Sequence, residues 1–569
     1  MNTHTSDPLT ERTLADRFMA TTHQVTNVSS ERVDVNLYTH DIALQQAVAH
    51  AGAAWAAPSL QAFGERVGSA AYLELGALAN RHPPELDTHD RFGHRVDLVR
   101  FHPAYHTLME TAIGQGLHAS PWVAPGPGAH VARAAHYYLQ TQVEAGHGCP
   151  ITMTFAAVPA LRATPRVAEA WVPRILSNRY DPRNVPDAGK QGVTLGMAMT
   201  EKQGGSDVRA NTTTAHPLES PGEGQLYELV GHKFFVSAPM CDAFLVLAQA
   251  PGGLSCFLVP RWRPDGSKNP LQIIRLKRKM GNVSNASSET ELRGALGWMV
   301  GEEGRGVRTI IDMVALTRFD CMIGSSAGQR AAVSHVLHHC AQRSVFGKRL
   351  DQQPLMTNVL ADLALESEAS LVMTLRMARA LDAQGDARED LLARLCTAVG
   401  KYWICKRTPM HAAEAMECIG GSGVMEDSPF PRLYREAPVN AIWEGSGNVQ
   451  CLDVLRAMQK TPAVVGVFFD ELARARGGHR ALDAWVAELQ TTLHQLARHP
   501  AELEYRARDV VDRMALALQA ALLVQHAPQA VADAYCASRL AGCGHRQFGT
   551  LPTGVDCAQL IRRATPQRV

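Results

Sequence analysis

The apolar pattern of this chain changes period twice, and that double change restricts the fold more than any single motif. From Asp41 to Leu195 apolar residues recur at spacings of three and four, broken by the Pro/Gly stretch from Pro121 to Gly128; this spacing predicts helices. Between Leu195 and Ile274 the period becomes two. Tyr227–Val230, Phe244–Ala248, Ser255–Val259 and Leu271–Ile274 are short runs parted by Gly, Pro and Asp, as in strands of a sheet or barrel. After Gly297 helical spacing returns over Arg308–Ser344, Pro354–Ala383, Leu391–Gly420 and Val449–Met458, and a further helical segment follows Lys460. The reading is a mainly helical α+β chain. At 569 residues and 46% apolar content it can bury several packed domains, which excludes wholesale disorder.

Charge and cysteine usage narrow the setting. A net charge of +1 excludes a uniformly basic nucleic-acid binder, so any such surface must be local. Residues 461–569 carry twelve Arg and no Lys against ten Asp and Glu, leaving the rest of the chain at −1. The twelve Cys form no Cys-x-x-Cys pair, and a reduced cytoplasm is expected. The uncharged run from Met514 to Ala532 includes three Gln, a His and a Pro, which suits a buried Ala/Leu helix better than a membrane span. The first thirty residues have no apolar block and carry Asp7, Glu11 and Asp16; neither a secretory nor a transit peptide fits, and a loose arm is expected.

Two stretches could carry chemistry. Met197-Ala-Met-Thr-Glu-Lys-Gln-Gly-Gly-Ser-Asp207 offers close-approach glycines and two hydroxyls suited to carbonyl or phosphate oxygens, or is a plain Gly-Gly turn. Ala441-Ile-Trp-Glu-Gly-Ser-Gly-Asn448 sets one carboxylate between an indole and a Gly-rich turn. Poor solvation there would suit a general base; the alternative is a first-turn carboxylate favoured by a helix dipole. Gly301-Glu-Glu-Gly-Arg-Gly306 lacks the βαβ context of a nucleotide loop and reads as a turn. His335-Val-Leu-His-His-Cys340 reads as ordinary helix residues, and no metal site is expected.

These two stretches, Val230-Gly-His-Lys-Phe-Phe-Val-Ser237 and Gln342-Arg-Ser-Val-Phe-Gly347 occur in an order and at separations that resemble the acyl-CoA dehydrogenase superfamily over residues 40–458. Pro83-Pro-Glu-Leu86, Phe101-His-Pro-Ala104, Cys149-Pro-Ile-Thr-Met-Thr-Phe-Ala156 and Thr317-Arg-Phe-Asp320 bring the chain nearer to its AidB-like branch, associated with the adaptive response to DNA alkylation. The resemblance implies an arm (1–40), an N-terminal helical domain (41–194), a middle β-domain (195–294), a C-terminal four-helix bundle (295–458) and an extra helical, Arg-containing domain (459–569).

It also implies FAD. On that reading Met197, Ala198, Met199, Thr200, Glu201, Lys202, Gln203, Gly204, Gly205 and Ser206 line the isoalloxazine and pyrophosphate. Phe235, Val236 and Ser237 lie against the flavin, with Ser237 reaching toward N5; the wider family has Trp-Ile-Thr there. Arg343 and Phe346 grip the FAD of a neighbouring subunit, which implies an oligomer, expected as a homotetramer. Ile442, Trp443, Glu444, Gly445, Ser446, Gly447, Asn448, Val449, Gln450, Cys451 and Leu452 serve both cofactor and base, with Glu444 as the base that takes the α-proton of an acyl thioester. Thr317 stands where one branch of the superfamily has its base, and a threonine cannot fill that role. Trp443, Ser446 and Lys202 depart from the wider family's Tyr, Thr and Pro, and Asp320 after Arg318 is expected to reshape the acyl and CoA sites, so acyl-CoA activity is expected to be weak. The branch further implies binding of double-stranded DNA through the C-terminal domain, with Arg456 in its basic patch and protection from alkylation as the outcome. On charge alone, solvated helix faces with interleaved Asp and Glu are the favoured reading of the tail arginines, Arg546 among them, and the resemblance shifts that balance. A dedicated short- or branched-chain acyl-CoA dehydrogenase and a flavin oxidase are the rival readings.

Overall fold

The computed structural model describes residues 22–383, 385–542 and 547–565; residues 1–21 of the expected arm and Arg546 lie outside these. Residues 22–40 contain no helix or strand, and Ser29 Oγ lies 2.8 Å from His339 Nδ1. The N-terminal helical domain comprises α1 (Ile42–His50), α2 (Ala57–Val67), α3 (Ala70–Arg81), α4 (Pro103–Gly114), α5 (Ser120–Val123), α6 (Ala129–Thr141), α7 (Gly148–Arg162) and α8 (Pro165–Ile175). Between α3 and α4 lies an antiparallel hairpin, β1 (Glu85–His89) with β2 (Arg95–Arg100), where helical spacing predicted none. Its turn is set locally: Asp90 Oδ1 accepts from the amides of Phe92 and His94 at 2.8 and 2.9 Å, and Gly93 adopts φ +83°.

The strand region is β3 (Leu195–Ala198), β4 (Thr214–Pro217), β5 (Leu226–Ser237), β6 (Ala243–Ala250), β7 (Gly253–Pro260), β8 (Leu271–Leu276) and β9 (Ser287–Val300). β6 pairs with β4 and β7, β4 with β5, β5 with β9, and β9 with β7, so the sheet closes on itself; β3 and β8 attach at β6 and β9. β6 is buried on nearly every residue, which explains its unbroken apolar run, whereas β5 alternates because one face meets solvent or ligand. The turn Gly301–Gly306 connects β9 to the bundle, with Gly301 and Gly304 at φ +72° and +73°.

The bundle consists of α9 (Gly306–Cys340), α10 (Pro354–Asp382), α11 (Ala387–Ile419), α12 (Phe430–Ile442) and α13 (Gly447–Lys460), with a small hairpin, β10 (Ser344–Val345) and β11 (Lys348–Arg349), after α9. α9 packs on α6, α7, α10, α11, α12 and β7, so it ties the helical domain, the barrel and the bundle together. Asp320 of α9 is buried in a bidentate pair with Arg133 of α6 at 2.6 and 2.7 Å. It therefore joins the N-terminal helical domain to the bundle.

The tail holds α14 (Ala463–Ala473), α15 (Arg480–Leu496), α16 (Pro500–Tyr505), α17 (Ala507–His526), α18 (Gln529–Tyr535) and α19 (Cys557–Ala564). α17 contains most of the long uncharged run and packs on α10, α11, α13 and α15, and one apolar core runs without interruption from bundle to tail. No helix among the described residues is long and apolar enough to cross a membrane. Buried ion pairs fasten the tail: Arg539 meets Asp362 and Glu366, Arg563 meets Glu368 at 2.8 Å, and Arg376 meets Glu471 at 2.6 Å.

Asp362 and Arg539 are 0% and 2% exposed, so Arg539→Ala strands a buried carboxylate. A loss of about 3–5 kcal/mol is expected in urea melts followed by Trp485 fluorescence, against less than about 0.5 kcal/mol for Arg498→Ala on the surface.

Candidate active site

β3 runs parallel to β6 and delivers Met197 and Ala198, both buried, to the barrel wall. The chain then turns back sharply, with Glu201 and Gly204 bridged amide to carbonyl and Gly204 at φ +139°. A Cβ on Gly205 would lie 2.4 Å from Thr200 Oγ1, so glycine is required here by the turn itself. Lys202, Gln203, Gly204, Gly205 and Ser206 face outward. Glu201 does the opposite: its carboxylate is fully buried, 2.8 Å from Lys233 Nζ and bonded to the amides of Thr212 and Thr213. These donors hold it far below the usual carboxylate range despite its burial. Glu201 thus anchors the turn, and only its backbone faces the loop's outer side.

The amide of Phe234 donates to Thr200 O at 2.8 Å, which joins this turn to β5. Pairing of β5 with β9 slips between Lys233 and Val236, and that bulge turns Phe235 outward, 42% exposed, while Val236 is buried. Ser237 lies one residue further on, its Oγ 3.2 Å from Ser287 Oγ.

Glu444 and Gly445 form a left-handed corner between α12 and α13, at φ +57° and +98°. The helix-dipole reading of Glu444 fails, because α13 begins only at Gly447. Lys401 Nζ donates to the carbonyls of Trp443 and Gly445 at 2.8 and 2.5 Å, and Arg318 Nε donates to Glu444 O at 2.9 Å. Gln450 Nε2 donates to both Glu444 O and Gly445 O at 3.0 Å, leaving its own Oε1 buried without a donor. The Glu444 carboxylate is part-buried and accepts from Thr317 Oγ1 at 2.9 Å. Burial raises its pKa above the ordinary value, against the opposing pull of the Thr317 hydroxyl, Arg318 and Lys401. A carboxylate with these properties suits proton abstraction near neutral pH.

Trp443 bonds Asn440 Oδ1 through its indole N–H at 2.9 Å and packs on the barrel core, so barrel and bundle meet beside Glu444. Along α13, Gln450 and Cys451 turn inward, Val449 is half-buried, and Asn448, Leu452 and Arg456 line one exposed face; Ile442 and Ser446 are also exposed. The hairpin turn of Arg343 and Phe346 stands apart. No hydrogen bond among the described residues links it to Glu444 or to residues 197–206. Arg343 bonds Asn27 O, and Phe346, at φ +51°, is 97% exposed.

By their chemistry the exposed residues Gln203, Gly205 and Ser206, the Phe235 and Trp443 rings, and the unpaired Gln450 Oε1 and Asn285 Oδ1 suit a flavin with its phosphates, whereas the amides of Lys202 and Gly204 are taken by His232 Nε2 and Glu201 O. Among the described residues no group of three or more His, Cys, Asp or Glu is placed to hold a metal. Lys401 and Gln450 are the supports of the corner. Sequence reading missed Lys401 altogether, because a lysine inside a helical run carries no sign that it is buried. Thr317, which cannot serve as a base, donates its hydroxyl to Glu444.

Three known families match the chain in succession: the adaptive response protein AidB N-terminal domain over residues 27–182, the acyl-CoA dehydrogenase middle domain over 196–295, and the acyl-CoA dehydrogenase C-terminal domain over 304–459. A protein of Escherichia coli (strain K12), named as an acyl-CoA dehydrogenase, AidB, is 48% identical over 517 residues, 90% of this chain and 94% of that one. The solved structure of Caenorhabditis elegans ACDH-11 in complex with C11-CoA superposes with a TM-score of 0.82 at 26% identity, covering 98% of this chain and 95% of that one. Butyryl-CoA dehydrogenase from Megasphaera elsdenii shares the fold at a TM-score of 0.57 and 18% identity, over 74% of this chain and 98% of that one.

Thr317→Val removes a donor that favours ionised Glu444, so the carboxyl should titrate at still higher pH. Difference infrared spectra across a pH series, with Glu444→Gln identifying the band, read this; an unmoved midpoint contradicts the assigned contact.

Proposed function

Because the chain belongs to the acyl-CoA dehydrogenase superfamily, in its AidB branch, we propose that Glu444 is the base of an acyl-CoA dehydrogenation and that the protein binds double-stranded DNA through its tail, protecting it from alkylation. The chain is an FAD-dependent oxidoreductase of that superfamily. Bound flavin supplies the acceptor for the substrate hydride. The chain's own part is to hold the substrate α-carbon against the Glu444 carboxylate, whose raised affinity for a proton is the observation that carries this reading. Ser237 and the 197–206 turn hold the cofactor edge and phosphates, and Arg343 with Phe346 reaches a neighbouring subunit of a homotetramer. A Phe held almost wholly in water at the tip of a tight turn supports that last assignment. Eleven free cysteines among the described residues, ten of them buried, suit a reduced cytoplasm.

The DNA reading rests on fewer arginines than the sequence offers. Arg539 and Arg563 are spent inside the fold, and Arg474, Arg506 and Arg513 pair with acidic neighbours. Arg476, Arg480, Arg498 and Arg562 are exposed without an ion pair among the described residues, and Arg456 is exposed 3.8 Å from Asp453. A second reading, a dedicated acyl-CoA dehydrogenase, is favoured by the tail's presence in ACDH-11, whose structure holds C11-CoA.

Two measurements separate these. Anaerobic isovaleryl-CoA should bleach the flavin slowly, and Glu444→Gln should abolish bleaching; full bleaching in that variant removes Glu444 as base. DNA affinity should fall steeply with salt. Arg456→Ala and Arg498→Ala should each lower the slope of log K against log salt by about 1, whereas a wild-type slope near zero leaves only the dehydrogenase reading. Point substitutions are required because deleting 459–569 would uncover the core shared with the bundle.

A further inference from the structure

Close to Ser237 lies a basic side chain that the proposed reaction does not use. Lys279 follows β8, and its Nζ is 2.5 Å from Asn285 O and 3.2 Å from Ser287 Oγ. It makes no ion pair among the described residues. Ser287 Oγ is in turn 3.2 Å from Ser237 Oγ, a contact in which either hydroxyl could be the donor.

Lysine biases that ambiguity. An ammonium has three donors and no acceptor, so Ser287 Oγ accepts from Lys279 and its own hydrogen is turned away from the charge. That favours Ser287 as the donor to Ser237 Oγ, with the Ser237 hydrogen pointing onward, over the reverse order in which the second lone pair of Ser287 accepts from Ser237. We propose that Lys279 is a positioning residue for the bound flavin: through Ser287 it fixes the Ser237 hydroxyl as a donor toward the flavin edge. Chained hydrogen bonds of one polarity reinforce one another, so the ammonium's charge is felt at Ser237 beyond direct contact. The proposal rests on the placement of Ser237 beside the flavin.

Burial lowers the Lys279 pKa to about 8, with Cys149 and Glu436 pulling the other way. Below that pH the chain has one direction. Above it the amine acquires a lone pair, can accept from Ser287, and lets Ser237 become an acceptor. The other groups facing this cluster are Cys149 of α7, which burial pushes up to about 12 and keeps neutral, Glu436 of α12, raised to about 7 by burial and Glu144, and Glu444 near Cys149. Glu436 and Glu444, both raised by burial, are the neighbours that could mimic Lys279, so Glu436→Gln and Glu444→Gln are the controls.

The test is the midpoint potential of the flavin-loaded protein measured from pH 6 to 10. Wild type should show a break in its pH slope near pH 8. Lys279→Met should lose the break; Lys279→Arg, which stays protonated, should keep the low-pH behaviour throughout; Ser287→Ala should lose the break although the charge remains. Glu436→Gln and Glu444→Gln should leave the break in place. A break that survives in Lys279→Met or Ser287→Ala, or that vanishes in Glu436→Gln or Glu444→Gln, overturns the proposal. Ser237→Ala separates the two levels. If it leaves the flavin spectrum and potential unchanged, the placement of Ser237 fails and the proposal with it. If it shifts them while Lys279→Met does not, the proposal alone fails.

Discussion

Three side chains from the bundle, Lys401, Arg318 and Gln450, seize the carbonyl oxygens of the Trp443–Gly445 corner, and the candidate chemistry depends on that capture. A non-glycine residue in the left-handed region costs about 1–3 kcal/mol and persists only where its surroundings over-determine it. Here the surroundings are two helices of 35 and 33 residues, α9 and α11, which present Arg318 and Lys401. Their length is not ornamental. It lets one rigid pair of helices serve the core and the Glu444 corner together, so the carboxylate is aimed by the same packing that holds the bundle.

The barrel contributes the complementary half. Its β5 bulge and the 200–204 turn are joined by one amide-to-carbonyl bond, from Phe234 to Thr200, and the buried Glu201–Lys233 pair keeps that junction from opening. Breaking such a pair strands a charge in low dielectric, so the loop is rigid although its outer side is solvated. A flexible glycine loop would give the same composition and none of the positional control.

Much of this was legible before any coordinates. The changes of apolar period mark barrel and bundle because strand and helix geometry write different repeats into the chain, and Glu444 stands out as a lone acid between an indole and glycines. What was hidden depends on burial. Nothing in Thr200–Gly205 says that Glu201 turns inward. Asp320 reads as a site residue beside Arg318, with no sign that Arg133, 187 positions earlier, lies against it. The β1–β2 hairpin escaped because its signal, the Asp90–Gly93 turn ahead of Arg95–Arg100, is short beside the helices around it. The tail's count could not tell where its arginines lie: Arg539 and Arg563 counterbalance Asp362, Glu366 and Glu368 of α10, so part of the excess of two positive charges belongs to the body's interior.

The hairpin after α9 has a thermodynamic meaning for assembly. Phe346 bears both a left-handed backbone and a ring 97% open to water, an arrangement that gains nothing within one subunit. Whatever surface covers that ring recovers its hydration free energy, and the recovery is reciprocal: the covering favours the hairpin as much as the hairpin favours the covering. If that surface belongs to a neighbour and encloses its cofactor, cofactor retention and subunit association become a single equilibrium, and dilution alone would empty the site.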